Sequence, residues 1–317
     1  MAEEENPIYS LAGKRVWVNG HRGMVGSALV RRLESEDCKI LKSTSDELDL
    51  RRQSDVEAWM EVQKPDAIFL CAATVGGILA NETRPAEFIY DNMMIETNVI
   101  HGAWRTGVEK LLFMGSACIY PREAPQPMPE DCLLTGPLEP TNEWYAIAKI
   151  VGIKLCQAYR KQFGADFISA QPINLYGPGD NFDLVSSHVV PALIRKAHEA
   201  KAEGRDSMEI WGSGNPMREF LYVADIADAL VFLMKRFSGD MQMNVGWGRE
   251  ISIRQLAETI GRIVGFEGKL VFDASKPDGT PRKLLDTTRL SGLGWKATTS
   301  LEEGLEKSYT WFLENVA

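Results

Sequence analysis

From Lys14 onward, short runs of β-branched and aromatic residues alternate with stretches in which apolar residues recur every three to four positions. The strand candidates are RVWVNG, KILKS, DAIFLCAA, KLLFMGS and FISAQPINLYGP. Between them, MVGSALVRRLES, DVEAWMEVQK, NMMIETNVIHGAWRTG and YAIAKIVGIKLCQAYRKQFG carry the period of amphipathic helices. Strands separated by helices of this length predict βαβ units, because parallel neighbours need a long crossover. Right-handed crossovers then give an α/β fold, a Rossmann-type doubly wound parallel sheet over 13–175, with ligands at the carboxyl ends of its strands.

The pattern changes after YGPGDN. Trp211, the loop GSGNPM and the segment KPDGTPRK punctuate several short elements, which predicts a smaller α/β substrate-binding domain over 176–317. The helix near 222–237, DIADALVFLMKRF, is apolar enough to pack back on the first domain. A cleft between the two parts is the expected binding site. The acidic start MAEEENPIYS lacks a basic-then-apolar signal pattern, so a flexible tail over 1–12 and a cytoplasmic protein are expected.

Composition narrows the choice of ligand. The formal charge is −9 with Lys and Arg scattered, which argues against a nucleic-acid surface. No apolar stretch approaches the ~20 residues of a membrane span. An anionic small molecule would have to be held by local donors against the overall field. Cys38, Cys71, Cys118, Cys132 and Cys156 are odd in number and show no zinc spacing, so reduced thiols and no metal site are expected.

RVWVNGHRGMVGSALVRRL reads as a strand, a glycine turn and a helix start, with Gly20, Gly23 and Gly26 three apart. Glycines let the backbone approach a pyrophosphate, and the helix N-terminus offers free N–H groups. His21, Arg22, Met24 and Val25 complete this dinucleotide loop. The second strand ends in Lys42, Ser43, Thr44 and Ser45, with the first acid only at Asp46. That end suits a 2′-phosphate better than a bare ribose hydroxyl, so NADP(H) is the expected cofactor. Ser45, Asp46, Leu48, Asp49 and Leu50 fall on its adenosine side, with Asp49 the candidate for the adenine amino group.

EWYAIAKIVGIKL sets Tyr145 and Lys149 at i and i+4, on one helical face. An ammonium beside a phenol lowers the phenol's pKa from about 10, which would make Tyr145 a usable proton donor and acceptor. Ser116, at the end of KLLFMGS, can bond the same substrate oxygen. Two residues on stands Cys118; by residue type alone, a free thiol there is more often small apolar filler.

The glycine pattern, Ser116 and the Tyr145–Lys149 pair together resemble the extended short-chain dehydrogenase/reductase family over nearly the whole chain. The finer resemblance is to the branch of that family that converts GDP-4-keto-6-deoxy-D-mannose to GDP-L-fucose. It is carried by GHRGMVGSA at 20–28, VGGILAN at 75–81, GSACIYP at 115–121, EPTNEWYAIAKI at 139–150, NLYGP at 174–178, SHVVPALI at 187–194, WGSGNPMREFL at 211–221 and KPDGTPRKLLD at 276–286. A nearby branch acts on a 3-deoxy substrate and epimerises only C5. A non-catalytic NADP-sensing protein on the same fold is the rival of another class.

The resemblance implies that Cys118 is the base and His188 the acid of epimerisations at C3 and C5, both flanking a C4 ketone. A thiolate serves there if nearby positive charge lowers its pKa. Tyr145 then protonates the oxygen at C4 during reduction, and Lys149 tunes Tyr145 while binding the nicotinamide ribose. Met114, Gly115, Ser116, Pro172, Ile173, Asn174, Leu175 and His188 are implied to line the nicotinamide side. Lys196, Trp211, Arg218 and Asp278 are implied to hold the GDP-sugar, whereas Lys276 and Lys283 read as solvated. A homodimer through a four-helix interface is implied for the helices around 86–106 and 143–163. Ala117, Thr74 and the stretch NFDLVSSH depart from the family pattern, as does the lack of an arginine on the second strand.

Overall fold

The computed structural model describes residues 7–184, 186–276 and 278–317. The first part runs β1 (Arg15–Asn19), α1 (Met24–Leu33), β2 (Lys39–Leu41), α2 (Gln53–Gln63), β3 (Ala67–Leu70), α3 (Ile78–Thr83), α4 (Pro85–Arg105), β4 (Lys110–Met114), α5 (Glu143–Phe163) and β5 (Asp166–Pro172). The chain continues through β6 (Asn174–Tyr176), α6 (Val189–Ala202), β7 (Ser207–Trp211), β8 (Met217–Tyr222), α7 (Val223–Arg236) and β9 (Met243–Val245). It closes with β10 (Glu250–Ser252), α8 (Ile253–Val264), β11 (Lys269–Asp273), β12 (Arg282–Lys283), α9 (Thr288–Gly292) and α10 (Leu301–Asn315).

Among the described residues, six strands form one sheet in the order β2-β1-β3-β4-β5-β9, and every pairing in it is parallel. Ala67, Ile68, Phe69 and Leu70 of β3 are all fully buried, as an unbroken apolar run covered on both faces requires. Helix α1 packs on α7, while α2, α4 and α5 pack in series. The order reverses between β1 and β3, so the crevice at their carboxyl ends is the natural ligand site.

The smaller region is built around β8. It pairs antiparallel with β10 and parallel with β12 and β6, and β7 pairs with β11 as a separate parallel ribbon. Only Ile173 separates β5 of the large sheet from β6. Its N–H donates to the Val245 carbonyl at 3.0 Å, and Asn174 Nδ2 donates to the Glu219 carbonyl at 2.8 Å. The PINL stretch is therefore the seam between the two parts. The division at 175 is not a clean cut: α7 returns to the first part, and so does β9 as its sixth strand.

The expected tail over 1–12 needs correction. Residues 1–6 lie outside the described residues, but 7–12 are packed. Leu11 is buried in the core, and the Tyr9 hydroxyl donates to Glu109 at 2.8 Å with Lys14 and Lys110 over its ring. Two apolar or aromatic side chains behind an acidic start were enough to pin the segment. No helix among the described residues is long and apolar enough to cross a membrane, and no cluster of potential metal ligands occurs among them.

Candidate active site

The glycine turn after β1 fits a dinucleotide on its own geometry. Gly20 turns the chain at φ +73°, and a Cβ on Gly26 would lie 2.1 Å from the Gly20 carbonyl oxygen. Helix α1 thus starts directly against the turn. Its N-cap, Gly23, has no side chain to bond the first N–H groups, and its first turn carries no acid. Asn19, at the end of β1, is buried with both side-chain polar atoms unpartnered among the described residues. Free donors, a helix N-terminus and a cradle that any Cβ would fill are what a pyrophosphate needs.

At the adenosine end, burial and then the charges of Lys42 and Arg22 hold the His21 imidazole below its ordinary value. Lys42, absent from the expected contacts, therefore joins Arg22 in a cationic corner beside the glycine turn. Ser45 and Asp46 are exposed in the turn after β2. Three neighbouring expectations are modified. The Leu48 side chain is core, the Leu50 carbonyl accepts from Asn98 Nδ2 at 3.0 Å, and Asp49 is clasped by Arg51 at 2.9 and 3.0 Å. Asp49 is not a free acceptor for an adenine amino group.

At the end of β4, Met114 and Gly115 lead to Ser116, whose N–H donates to Gln171 Oε1 at 2.9 Å. Ser116 caps the short turn Ala117–Ile119, its hydroxyl accepting from the Cys118 N–H at 3.3 Å. That capping fixes the backbone of Cys118 one turn beyond the strand end. Burial pushes the Cys118 thiol up, and Lys283, the Ser116 hydroxyl and Lys149 pull it down without offsetting burial. The positive charge expected near the thiol is present, yet the resting group is a thiol.

Tyr145 and Lys149 share a face of α5, as their spacing predicts, with Lys149 Nζ 5.6 Å from the tyrosine ring centre. The expected lowering of the phenol does not occur. Burial raises Tyr145 well above its ordinary value, and Cys118 and Glu96 raise it further. Burial is the main reason, and α4 adds to it: Lys149 forms a buried ion pair with Glu96 at 2.9 Å and donates to the Met114 carbonyl at 3.2 Å. Glu96 escaped notice although its helix position foretold burial. It falls on the stripe Asn92, Glu96, Val99, Ile100, Ala103, all buried against the rest of the first part.

His188 occupies the N-cap position of α6 and is accessible to solvent. Its segment is held by VGGILAN: the Gly77 N–H donates to the Ser186 carbonyl at 3.1 Å, and Asn81 Nδ2 bonds the Gly76 and Gly77 carbonyls. Crowding by protein and then Lys283 lower its pKa. Lys283 is the second residue that sequence reasoning set aside. It lies on β12 opposite Arg218, partly buried, where burial lowers its ammonium and Cys118 opposes that. Among the described residues its side chain has no hydrogen bond or ion pair. Its signal was the pair Leu284–Leu285 that follows, since Leu285 is core.

On the smaller region, Trp211 is 56% exposed, with Lys196 Nζ and Lys276 Nζ 5.3 and 5.4 Å from its ring centre. Arg218 bonds only carbonyls, those of Met217 and Asp278, and burial lowers its pKa. A cation so placed is a seat for an anion. Asp278 is less available than expected: both its oxygens accept from Ser213, at 2.7 Å each. That ties residue 278 to the 212–214 turn, and its carbonyl accepts from Arg218.

The chain is similar to known proteins over nearly its whole length. The chain is 63% identical over 311 residues to a GDP-L-fucose synthase of Sinorhizobium fredii, covering 98% of this chain and 99% of that protein. It is 54% identical to a GDP-L-fucose synthase of Escherichia coli over 96% of this chain and 98% of that one. A GDP-L-colitose synthase of Yersinia pseudotuberculosis is 38% identical over 94% and 98%. A GDP-L-fucose synthetase of Naegleria fowleri, solved with NADP, superimposes with a TM-score of 0.91 at 30% identity, covering 98% of this chain and 96% of that one. The sequence pattern of one family matches residues 16–246, most of the chain and all six strands of the large sheet. The chain belongs to the NAD dependent epimerase/dehydratase family.

Proposed function

We propose that this protein converts GDP-4-keto-6-deoxy-D-mannose to GDP-L-fucose, epimerising C3 and C5 and then reducing C4 with NADPH. One observation carries the reading. A thiol, a hydroxyl and a phenol gather at the end of β4, and a cationic lysine acts on both that thiol and an imidazole from α6. The relatives named GDP-L-fucose synthase support the substrate, and the more distant GDP-L-colitose synthase makes the 3-deoxy alternative the weaker one.

Protons at C3 and C5 are acidified because removal of either leaves an enolate on the C4 oxygen. Cys118, as thiolate, takes the proton from one face, and the imidazolium of His188 returns one to the other. Both groups then exchange with solvent, so each epimerisation is proton-neutral. Ser116 and Tyr145 bond the C4 oxygen throughout. NADPH, when bound along the glycine turn and the PINL seam, supplies the hydride to C4. Tyr145 gives its proton to that oxygen and recovers one from solvent. The high resting pKa of Tyr145 suits this direction, since a reductase needs the phenol protonated at the start. Arg218 and Lys196 hold the diphosphate, and the exposed face of Trp211 packs on the nucleotide.

A homodimer and a cytoplasmic site of action complete the reading. The first is supported by exposed Tyr90, Trp144 and Phe163 on the long helices α4 and α5, the second by free Cys38, Cys71, Cys118, Cys132 and Cys156. Incubation with GDP-4-keto-6-deoxymannose, NADPH and deuterated water, followed by NMR, tests the function. GDP-L-fucose labelled at C3 and C5 is expected. A reduced product lacking deuterium at both carbons overturns the epimerase half, and label at C5 alone reassigns the chain to the 3-deoxy branch.

A further inference from the structure

Lys149 and Glu96 form an ion pair that is almost wholly withdrawn from water: their side chains are 2% and 0% exposed, and Nζ lies 2.9 Å from Oε1. Room for the carboxylate exists because residue 152 is glycine; a Cβ there would lie 2.8 Å from Glu96 Oε2 and 2.4 Å from the Phe113 ring. Such a pair is a poor source of stability, because desolvating two charges costs about as much as their attraction returns. Its consequence is local instead. A lysine has three N–H donors. The ammonium is ion-paired with Glu96, donates to the Met114 carbonyl at 3.2 Å, and lies 4.9 Å from the Phe113 ring centre and 5.6 Å from that of Tyr145. A further donor is left for a ribose hydroxyl.

Building on the reductase reading above, we infer that Glu96 is a positioning residue for the reduction step: it holds Lys149 fixed against the end of β4. Without the carboxylate, the buried ammonium would face only a carbonyl and two rings and would lose the ion pair that fixes it there. The same anion adds to burial and Cys118 in raising Tyr145, so it helps the phenol keep the proton it must donate. Glu96 thereby biases the site toward reduction. It does not reach the epimerisation pair by any hydrogen bond given among the described residues.

The groups that face this pair are Tyr145 and Cys156 on α5, Cys71 after β3, and Cys118 on the turn after β4. All four rest neutral, each raised chiefly by burial. Glu96 itself is raised by burial to about 7, with Lys149 pulling it down. Below that pH the carboxyl is neutral and Lys149 loses its anchor.

The test is single-turnover hydride transfer to the keto sugar, followed by NADPH absorbance against pH on the full chain, with C3 and C5 deuterium exchange run in parallel. Wild-type reduction is expected to rise through pH about 7 and level off. Glu96→Gln should lose that inflection and sit roughly tenfold below the wild-type plateau, with exchange and NADPH affinity within about threefold of wild type. Glu96→Asp keeps the anion and should keep the inflection, and it decides the matter if Glu96→Gln does not fold. An inflection that survives in Glu96→Gln, or vanishes in Glu96→Asp, overturns the inference. Failure of the functional reading looks different, since wild type itself would then give no reduction.

Discussion

Lys283 pulls the Cys118 thiol down while burial pushes it up, and burial prevails. The same lysine lowers His188, together with the larger effect of the protein crowded around it. The proposed base of the epimerisation is thus raised and its proposed acid lowered. The active combination, thiolate with imidazolium, is a minority form whose population is constant between the two pKa values. It falls below the His188 value as the thiolate is lost and above the Cys118 value as the imidazolium is lost.

Removing the lysine charge raises both groups, because each is lowered by it. Lys283→Met is therefore expected to move both limbs of the exchange-versus-pH profile to higher pH. Loss of the charge beside the developing enolate should also slow exchange by about tenfold, roughly 1.4 kcal/mol. Deuterium wash-in at C3 and C5 across a pH series reads both effects. Limbs that stay in place would return Lys283 to the status of a strand residue.

Arg218 makes a second prediction through its lack of a carboxylate in bonding contact. Its guanidinium touches two backbone carbonyls and is lowered by burial, so it gains most from a bound dianion. Arg218→Met should raise KM for the GDP-sugar by about ten- to a hundredfold, within the range of lost charge-assisted bonds, and change kcat little. A variant with unchanged KM removes Arg218 from the diphosphate site.

The large sheet was legible because its strands are unbroken apolar runs and its helices keep one period throughout. Ala67–Leu70 and the stripe on α4 are examples where burial follows from pattern alone. Strand β9 was not legible: three residues, Met243–Val245, carry no periodicity, and their place depends on β5. Of the site, the spacing of Tyr145 and Lys149 gave the shared face but the wrong sign for the phenol. The sign is set by burial, to which Cys118 and then Glu96 add, and Glu96 comes from another helix and meets Lys149 only in the folded chain. Lys283 was misread for a related reason, since a two-residue strand looks like the basic loop that precedes it.

The cationic corner at His21 makes a third prediction. Arg22 and Lys42 both lower that imidazole, so their charges converge where a ribose 2′-phosphate would lie beside the glycine turn. Arg22→Ala is expected to weaken NADPH by about tenfold while leaving NADH nearly unchanged, since only the former carries the extra anion. Titration of both coenzymes at low salt checks it. Equal losses for the two would assign Arg22 to the pyrophosphate instead.

Finally, the two halves of the chemistry should come apart. Cys118 and Tyr145 are near enough that the charge of one raises the other, yet they are assigned different protons, one on carbon and one on oxygen. Cys118→Ser should lower exchange at C3 and C5 by about a hundredfold or more, the usual scale for a lost general base, with NADPH binding intact. Tyr145→Phe should lower reduction on the same scale while exchange persists, so that deuterated keto sugars accumulate. The phenol rests protonated well above neutrality, so the defect in Tyr145→Phe should be equally deep at every pH between about 6 and 9. A reduction defect that fades toward low pH would mean that another acid can protonate C4, and the buried pair behind Tyr145 would be the first place to look.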